Sequence, residues 1–183
     1  MKLQSRKNKL LLLFLAVITS LLCAMYVMAG GPSAGQKAPT FQAKTVDGKA
    51  VKFPDDYKGK IVLLDFWATW CPPCRAEIPN IVAAYQKYHA KGFEVLGVSL
   101  DQPRQGPALI QFTRNYNMSW PHIYDGKYWN AEVAVQYNID SIPRAFLVDG
   151  DTGKILAEGG AVRGKNLGPA VEKALATKAK AKK

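Results

Sequence analysis

Cys71 and Cys74 stand three residues apart, with Pro72 and Pro73 between them. Two thiols at that spacing can close on each other as a redox pair or supply half of a metal site. The residues in front of them, Ile61–Trp67 (IVLLDFW), form a nearly unbroken apolar run, as expected for a strand buried on both faces. Pro72 and Pro73 suit the first positions of a helix, where a missing N–H costs nothing. Cys71 therefore falls at a strand-to-helix turn, facing unpaired N–H groups and the positive end of the helix dipole. Both favour the thiolate and lower the thiol pKa below its free value of about 8.5. Cys74, one turn along, is placed to attack a mixed disulfide formed on Cys71. The competing metal reading is weak. A closed zinc site needs four ligands, there is no second pair of this spacing, and His89 and His122 show no matching pattern. The expectation is a two-cysteine redox centre with no metal and no organic cofactor, since the pair itself carries two electrons.

The rest of the sequence says where such a centre would work. Met1–Lys9 is polar and basic, and Leu10–Ala29 then runs without a charge. A helix of that length spans roughly 30 Å, enough for a bilayer. Val27-Met28-Ala29 before Gly30 also resembles a signal-peptide cleavage pattern. Residues 1–29 read equally as a removed signal or a retained membrane anchor, and either exports the remainder of the chain across the membrane. Cys23 has Leu22 before it, where a lipidation signal would want a small residue, and reads as apolar filler. With the leader gone only Cys71 and Cys74 remain, in a compartment where disulfides persist. They close too small a loop to staple a fold. A chemical reason for the pair is the stronger one.

The chain has 183 residues, 48% of them hydrophobic, and a formal charge of +11. Lys2, Arg6, Lys7 and Lys9 at one end and Lys178, Lys180, Lys182 and Lys183 at the other carry most of that excess. The body between is only mildly basic, so no nucleic-acid partner is expected. One domain over residues 36–176 follows from the length. GGPSAG (residues 30–35) reads as a linker, and residues 177–183 as a solvated lysine-rich tail near anionic lipid.

Within the body, Phe41–Val46 and Ala50–Phe53 flank Asp47-Gly48, a hairpin signal. A helix is expected from Pro72 to about Lys91, with Ile78, Ile81, Val82 and Tyr85 on one face and a kink at Pro79. Gly92 ends it. Phe93–Leu100 reads as a second buried strand, Gly106–Asn115 as a helix, Pro121–Tyr124 as a short strand and Ala131–Tyr137 as a short helix. Ala145–Val148 and Lys154–Ala157 form another hairpin about Asp149–Gly153, and Asn166–Ala176 is an amphipathic closing helix. That order gives an α/β sandwich with a mixed sheet.

The string FWATWCPPCRAEIP after an apolar strand resembles the active site of thioredoxins and, with the leader and the Pro39-containing start, the TlpA/ResA branch of exported thiol-disulfide oxidoreductases. The resemblance spans roughly residues 36–175. It implies a thioredoxin fold, a central mixed sheet flanked by helices, here with an added N-terminal β-hairpin. It also implies a Cys71–Cys74 redox disulfide with Cys71 as nucleophile and Cys74 as resolving thiol. Asp65, six residues before Cys71, matches the family's buried acid and would take the proton of Cys74. Pro79 matches the kink proline. Ile142-Pro143 matches the cis-proline whose neighbour pairs with a bound peptide, and Trp70, Pro72, Pro73, Ile142, Pro143 and Arg144 would form the substrate-facing surface. The partners implied are disulfide- or dithiol-containing exported proteins, apocytochromes c among them, and a membrane electron donor.

There are departures. The family's lysine partner of the acid aligns with Gly97, and Arg144 stands where many relatives carry Thr. Arg75 would lower the Cys71 pKa or lie solvated. Tyr116, Trp120, Tyr124, Tyr128, Trp129 and Tyr137 would line a groove or fill the core. A peroxidase would want Thr or Ser at Ala68, and a copper chaperone a wider cysteine spacing with a paired histidine, for which His122 is a poor candidate. A non-catalytic binding module on the same fold would have little use for Cys71, Cys74, Asp65 and Pro143 together.

Overall fold

A computed structural model describes residues 30–181. The leader, and with it the choice between signal and anchor, lies outside the described residues. Among the described residues, eleven helices and strands follow one another, 3-10 turns aside. They are β1 (Phe41–Lys44), β2 (Ala50–Phe53), β3 (Ile61–Trp67), α1 (Pro72–Tyr88), β4 (Phe93–Ser99) and α2 (Gly106–Asn115). β5 (His122–Ile123), α3 (Glu132–Gln136), β6 (Arg144–Asp149), β7 (Ile155–Glu158) and α4 (Leu167–Ala181) complete the chain.

β3 is buried at every residue, which is why its apolar run does not alternate. It lies in the middle of a five-stranded sheet of order β5-β4-β3-β6-β7. β4 runs parallel to β3 and β5 parallel to β4, whereas β6 and β7 are antiparallel to their neighbours. The crossovers β3-α1-β4 and β4-α2-β5 advance in one direction across the sheet. Right-handed connections then put α1 and α2 on the same face, and ring contacts agree: Trp67 meets Phe112 of α2, and Tyr85 of α1 meets Trp120. α4 packs beside α1. The opposite face is covered by the antiparallel β1-β2 hairpin and α3 through a cluster of Phe41, Phe53, Phe66, Tyr137 and Phe146. This is the mixed sheet with flanking helices and added hairpin that the sequence predicts.

Both sheet edges are covered. The chain before β1 bonds along β7, with Gly35 N–H donating to the Ile155 carbonyl and Ile155 N–H to Gln36. The end of the hairpin bonds along β5, with Val46 N–H donating to the His122 carbonyl. Edges treated this way offer no free ladder for chance pairing.

Some boundaries depart from the sequence reading: β1 ends at Lys44, and α1 ends at Tyr88 with a 3-10 turn over His89–Lys91, while the largest departure is at the C-terminus. The closing helix does not stop at Ala176 but continues to Ala181. Lys178 is not a solvated tail residue: it is buried, its ammonium 2.6 Å from both Asp149 and Asp151 in the β6-β7 turn. Burial pulls its pKa down, but the two carboxylates more than reverse that and leave it above the ordinary lysine value. Two fixed carboxylates supply what composition cannot show, a reason for a lysine to leave water.

Candidate active site

The site is built where β3 runs into α1. Cys71 caps α1 in an extended conformation (φ −95°, ψ 103°), and Cys74 N–H donates to its Sγ at 3.2 Å. Pro72 and Pro73 occupy the first turn, where neither is asked to donate. Cys71 and Cys74 form a disulfide, with Cα atoms 5.3 Å apart. Each is only 3% exposed. A helix N-terminus aimed at Cys71 is the electrostatic setting that stabilises its thiolate once the bond opens.

The loop ahead of Cys71 is held by a residue that the sequence reading did not single out. Asp101, fully buried just beyond β4, accepts from Thr69 N–H at 3.2 Å and from Thr69 Oγ1 at 2.5 Å, and from Ser99 Oγ at 2.7 Å. Trp70 donates from Nε1 to the Leu100 carbonyl at 3.2 Å, and its ring, 39% exposed, lies against Tyr128 and Trp129. Tyr128 holds a left-handed backbone (φ 57°), uncommon for a bulky residue. The aromatic stretch thus divides. Tyr128 and Trp129 form a partly exposed shelf beside the disulfide, while Trp120 and Tyr137 are buried.

Facing the disulfide is the start of β6. The Ile142-Pro143 bond is cis, and the Ile142 carbonyl oxygen lies 3.9 Å from Cys71 Sγ. A second cis bond, Phe53-Pro54, sits outside the site and carried no sequence signal. Arg163 donates from Nη1 to the Pro143 carbonyl at 3.0 Å. Arg144 is turned elsewhere: it pairs with Glu158 on β7 and lies over the Phe146 ring, on the sheet face opposite Asp65. Its charge is matched there by the Glu158 carboxylate. Arg75 is also engaged, bonding the Tyr116 hydroxyl at 3.2 Å and lying over Phe112, which ties α1 to α2. Pro79 lies inside α1.

Asp65 sits in β3, 5% exposed, with Gly97 and Ala145 as register partners. Its carboxyl pKa is pushed up to about 7, mainly by burial and further by the Glu77 carboxylate, with the Arg163 guanidinium opposing. Glu77, one turn beyond Cys74 on α1, is anchored by Gly164 N–H at 2.7 Å. Glu77 and Arg163 were not singled out by sequence reasoning. The three-residue step from Cys74 to Glu77 was a usable signal, because it puts both on one helix face. Nothing local marks Arg163. Among the described residues no group of three or more His, Cys, Asp and Glu side chains could hold a metal ion.

This arrangement, a buried cysteine pair at a helix N-terminus between a cis-proline and a carboxyl able to exchange protons near neutrality, is equipped for thiol-disulfide exchange. Residues 34–157 match the AhpC/TSA family. The chain belongs to that family. Among its members it is similar to the thiol-disulfide oxidoreductase ResA of Bacillus thuringiensis subsp. konkukian, 32% identical over 162 residues that cover 84% of this chain and 88% of the relative. Of solved structures, it is similar to the thioredoxin domain of a thiol-disulfide oxidoreductase from Bacteroides vulgatus, with TM-score 0.69 and 32% identity over 79% of this chain and 99% of that one. A thioredoxin-family thiol:disulfide interchange protein from Chlorobium tepidum matches with TM-score 0.62 and 28% identity, over 79% of this chain and 99% of that one. The family member described here is a thioredoxin-like thiol-disulfide oxidoreductase.

Proposed function

We propose that the Cys-Pro-Pro-Cys pair of this chain reduces disulfides in exported proteins on the periplasmic side of a membrane, apocytochromes c among its clients. The observation that carries the reading is Cys71 at the α1 N-terminus, its sulfur 3.9 Å from the Ile142 carbonyl. A client strand pairing with that backbone would bring its own disulfide to Cys71.

In the forward reaction the Cys71 thiolate attacks one client sulfur, forming a Cys71–client disulfide and releasing the other client sulfur as a thiolate that picks up a proton. Asp65 takes the proton of Cys74. The Cys74 thiolate then attacks Cys71 Sγ, releasing the second client thiol and leaving the Cys71–Cys74 disulfide seen in the structure. Two electrons have moved to the client, and a membrane dithiol donor returns the pair to its reduced form. Trp70, Pro72, Pro73, Ile142 and Pro143 present the docking surface, with the Tyr128–Trp129 shelf beside it. The uncharged leader (residues 10–29) supports export. No helix among the described residues is long and apolar enough to cross a membrane.

The test is trapping. Cys74→Ser accumulates mixed disulfides with client proteins, and Cys71→Ser traps none. Equal trapping by the two variants would reverse or remove the assignment of Cys71 as nucleophile.

A further inference from the structure

In a parallel sheet, register partners on adjacent strands turn their side chains to the same face. Asp65, Gly97 and His122 form one such row across β3, β4 and β5, because Gly97 is the partner of both. The middle position has no side chain, and a Cβ there would stand 2.4 Å from His122 Nδ1 and 3.0 Å from Trp67 Nε1. The imidazole therefore reaches over Gly97 from the far side of the row. It fills the space that any larger residue at position 97 would need.

The polar groups gathered there are unsatisfied. His122 is 4% exposed; the Met118 backbone lies near enough to its ring to favour the charged form, but neither ring nitrogen makes a well-formed hydrogen bond among the described residues, nor does Trp67 Nε1 or Trp120 Nε1. Buried polar groups in native proteins are paired in the great majority of cases, through an ordered water when not through protein. His122 also lines a cavity of about 490 Å³ at the β5 edge, together with Trp120, Thr45, Lys49, Thr113 and Arg114. One residue thus has a buried carboxyl across Gly97 on one side and lines the cavity on the other, with its ring nitrogens sealed beneath the cavity wall.

We propose that His122 is a positioning residue through which Asp65 exchanges its proton with solvent. The inference rests on Asp65 acting as proton acceptor for Cys74. The proton leaves Cys74 Sγ for the Asp65 carboxylate, crosses one buried water to His122 Nδ1, and a proton departs from Nε2 into the cavity. No electrons move, and the imidazole returns to its first tautomer when the donor re-reduces the pair and a proton runs the opposite way, in at Nε2 and out from Nδ1 to reprotonate Asp65 and Cys74. Burial keeps the ring neutral, lowering its pKa to about 4 against the opposing Met118 backbone, so it passes a proton without retaining it. The charged groups facing the pair are Glu77 from α1 and Arg163 from the segment before α4 at Asp65. Asp47, Lys49 and Arg114 line the cavity at His122.

The experiment follows release of a small thiol from a mixed disulfide preformed on Cys71, between about pH 5 and 9, where Asp65 titrates. His122→Ala is expected to slow release about tenfold or more, leaving formation of the mixed disulfide within about twofold. Added imidazole restores release, and pyrrole, the same size without a basic nitrogen, does not. An unchanged release rate, or equal rescue by pyrrole, overturns the proposal. Should His122→Ala fold poorly, His122→Gln replaces it, keeping polar bulk at the site without a nitrogen that can take and pass on a proton: release is expected to slow about tenfold or more, and an unchanged rate overturns the proposal equally. Asp65→Asn separates the two layers. If it leaves release unchanged, the acceptor role itself fails. If it slows release while His122→Ala does not, only the relay fails.

Discussion

At the scale of the residue, Asp65 is the proposed proton acceptor and also costs stability. Its carboxyl titrates near 7 in the folded protein, against 3.8 as the ordinary value. A raised acid favours the folded state in its protonated form, so stability is lost as pH climbs from about 4 through 7. Asp65→Asn removes that dependence. Denaturant melts at pH 5 and pH 8 should show the wild type losing on the order of 2–3 kcal/mol more than the variant over that interval. Equal losses would mean that the carboxyl is not perturbed. Cys71, Cys74, Asp65 and Pro143 are legible in the sequence because each has a fixed offset within one string or one strand start. Arg163, Asp101 and His122 are not, and Glu77 is marked only by its three-residue step from Cys74. Arg163 reaches Pro143 from twenty positions away, and Asp101 holds Thr69 across two adjacent parallel strands. By sequence His122 reads only as a poor metal ligand. Its place beside Asp65 depends on β5 lying next to β4, a fact of sheet order that no local pattern carries.

Among the elements, the segments that bury an uninterrupted apolar run or a clean amphipathic face are legible to within a residue or so, β3, β4 and α2 in particular. Their ends are set by local chemistry: Gly92, with φ 98°, closes the turn after α1 in a conformation that glycine adopts freely. α4 reads short in the sequence because its last turn is rich in lysine, and only the carboxylates of the β6-β7 turn explain why it stays helical and docked. Lys178→Ala is therefore expected to cost about 1–3 kcal/mol, since it leaves half-buried Asp149 without its ammonium. Lys180→Ala, at an exposed position, should cost less than about 0.5 kcal/mol. Equal effects on the thermal midpoint would return the whole segment to a solvated tail. The active-site loop gives a second comparison. Asp101→Ala strips Thr69 and Ser99 of their partner and should destabilise the fold by about 1–3 kcal/mol. It should also raise hydrogen exchange at residues 68–71 above that of β3; unchanged exchange there would show that Asp101 does not hold the loop.

For the whole molecule, function follows from where the sheet puts its two kinds of connection. The parallel half, β3 through β5, brings the α1 N-terminus, the buried acid and His122 to one face. The antiparallel half brings the cis-proline start of β6 up against the cysteines. The hairpin and the segment before it cover both edges, and the proposed docking face is the area around the disulfide and its aromatic shelf. The modest charge of the body fits clients chosen by backbone pairing and apolar contact rather than by a field. Direction of electron flow is a property of the assembled site, and one quantity reports it. That quantity is the reduction potential of the Cys71–Cys74 pair in the purified protein, equilibrated against glutathione. A reductase fed by a membrane donor predicts a value near that of thioredoxin, about −270 mV. A value towards about −120 mV would mark a disulfide donor and contradict the reading, and a pair that does not cycle would contradict the enzyme itself.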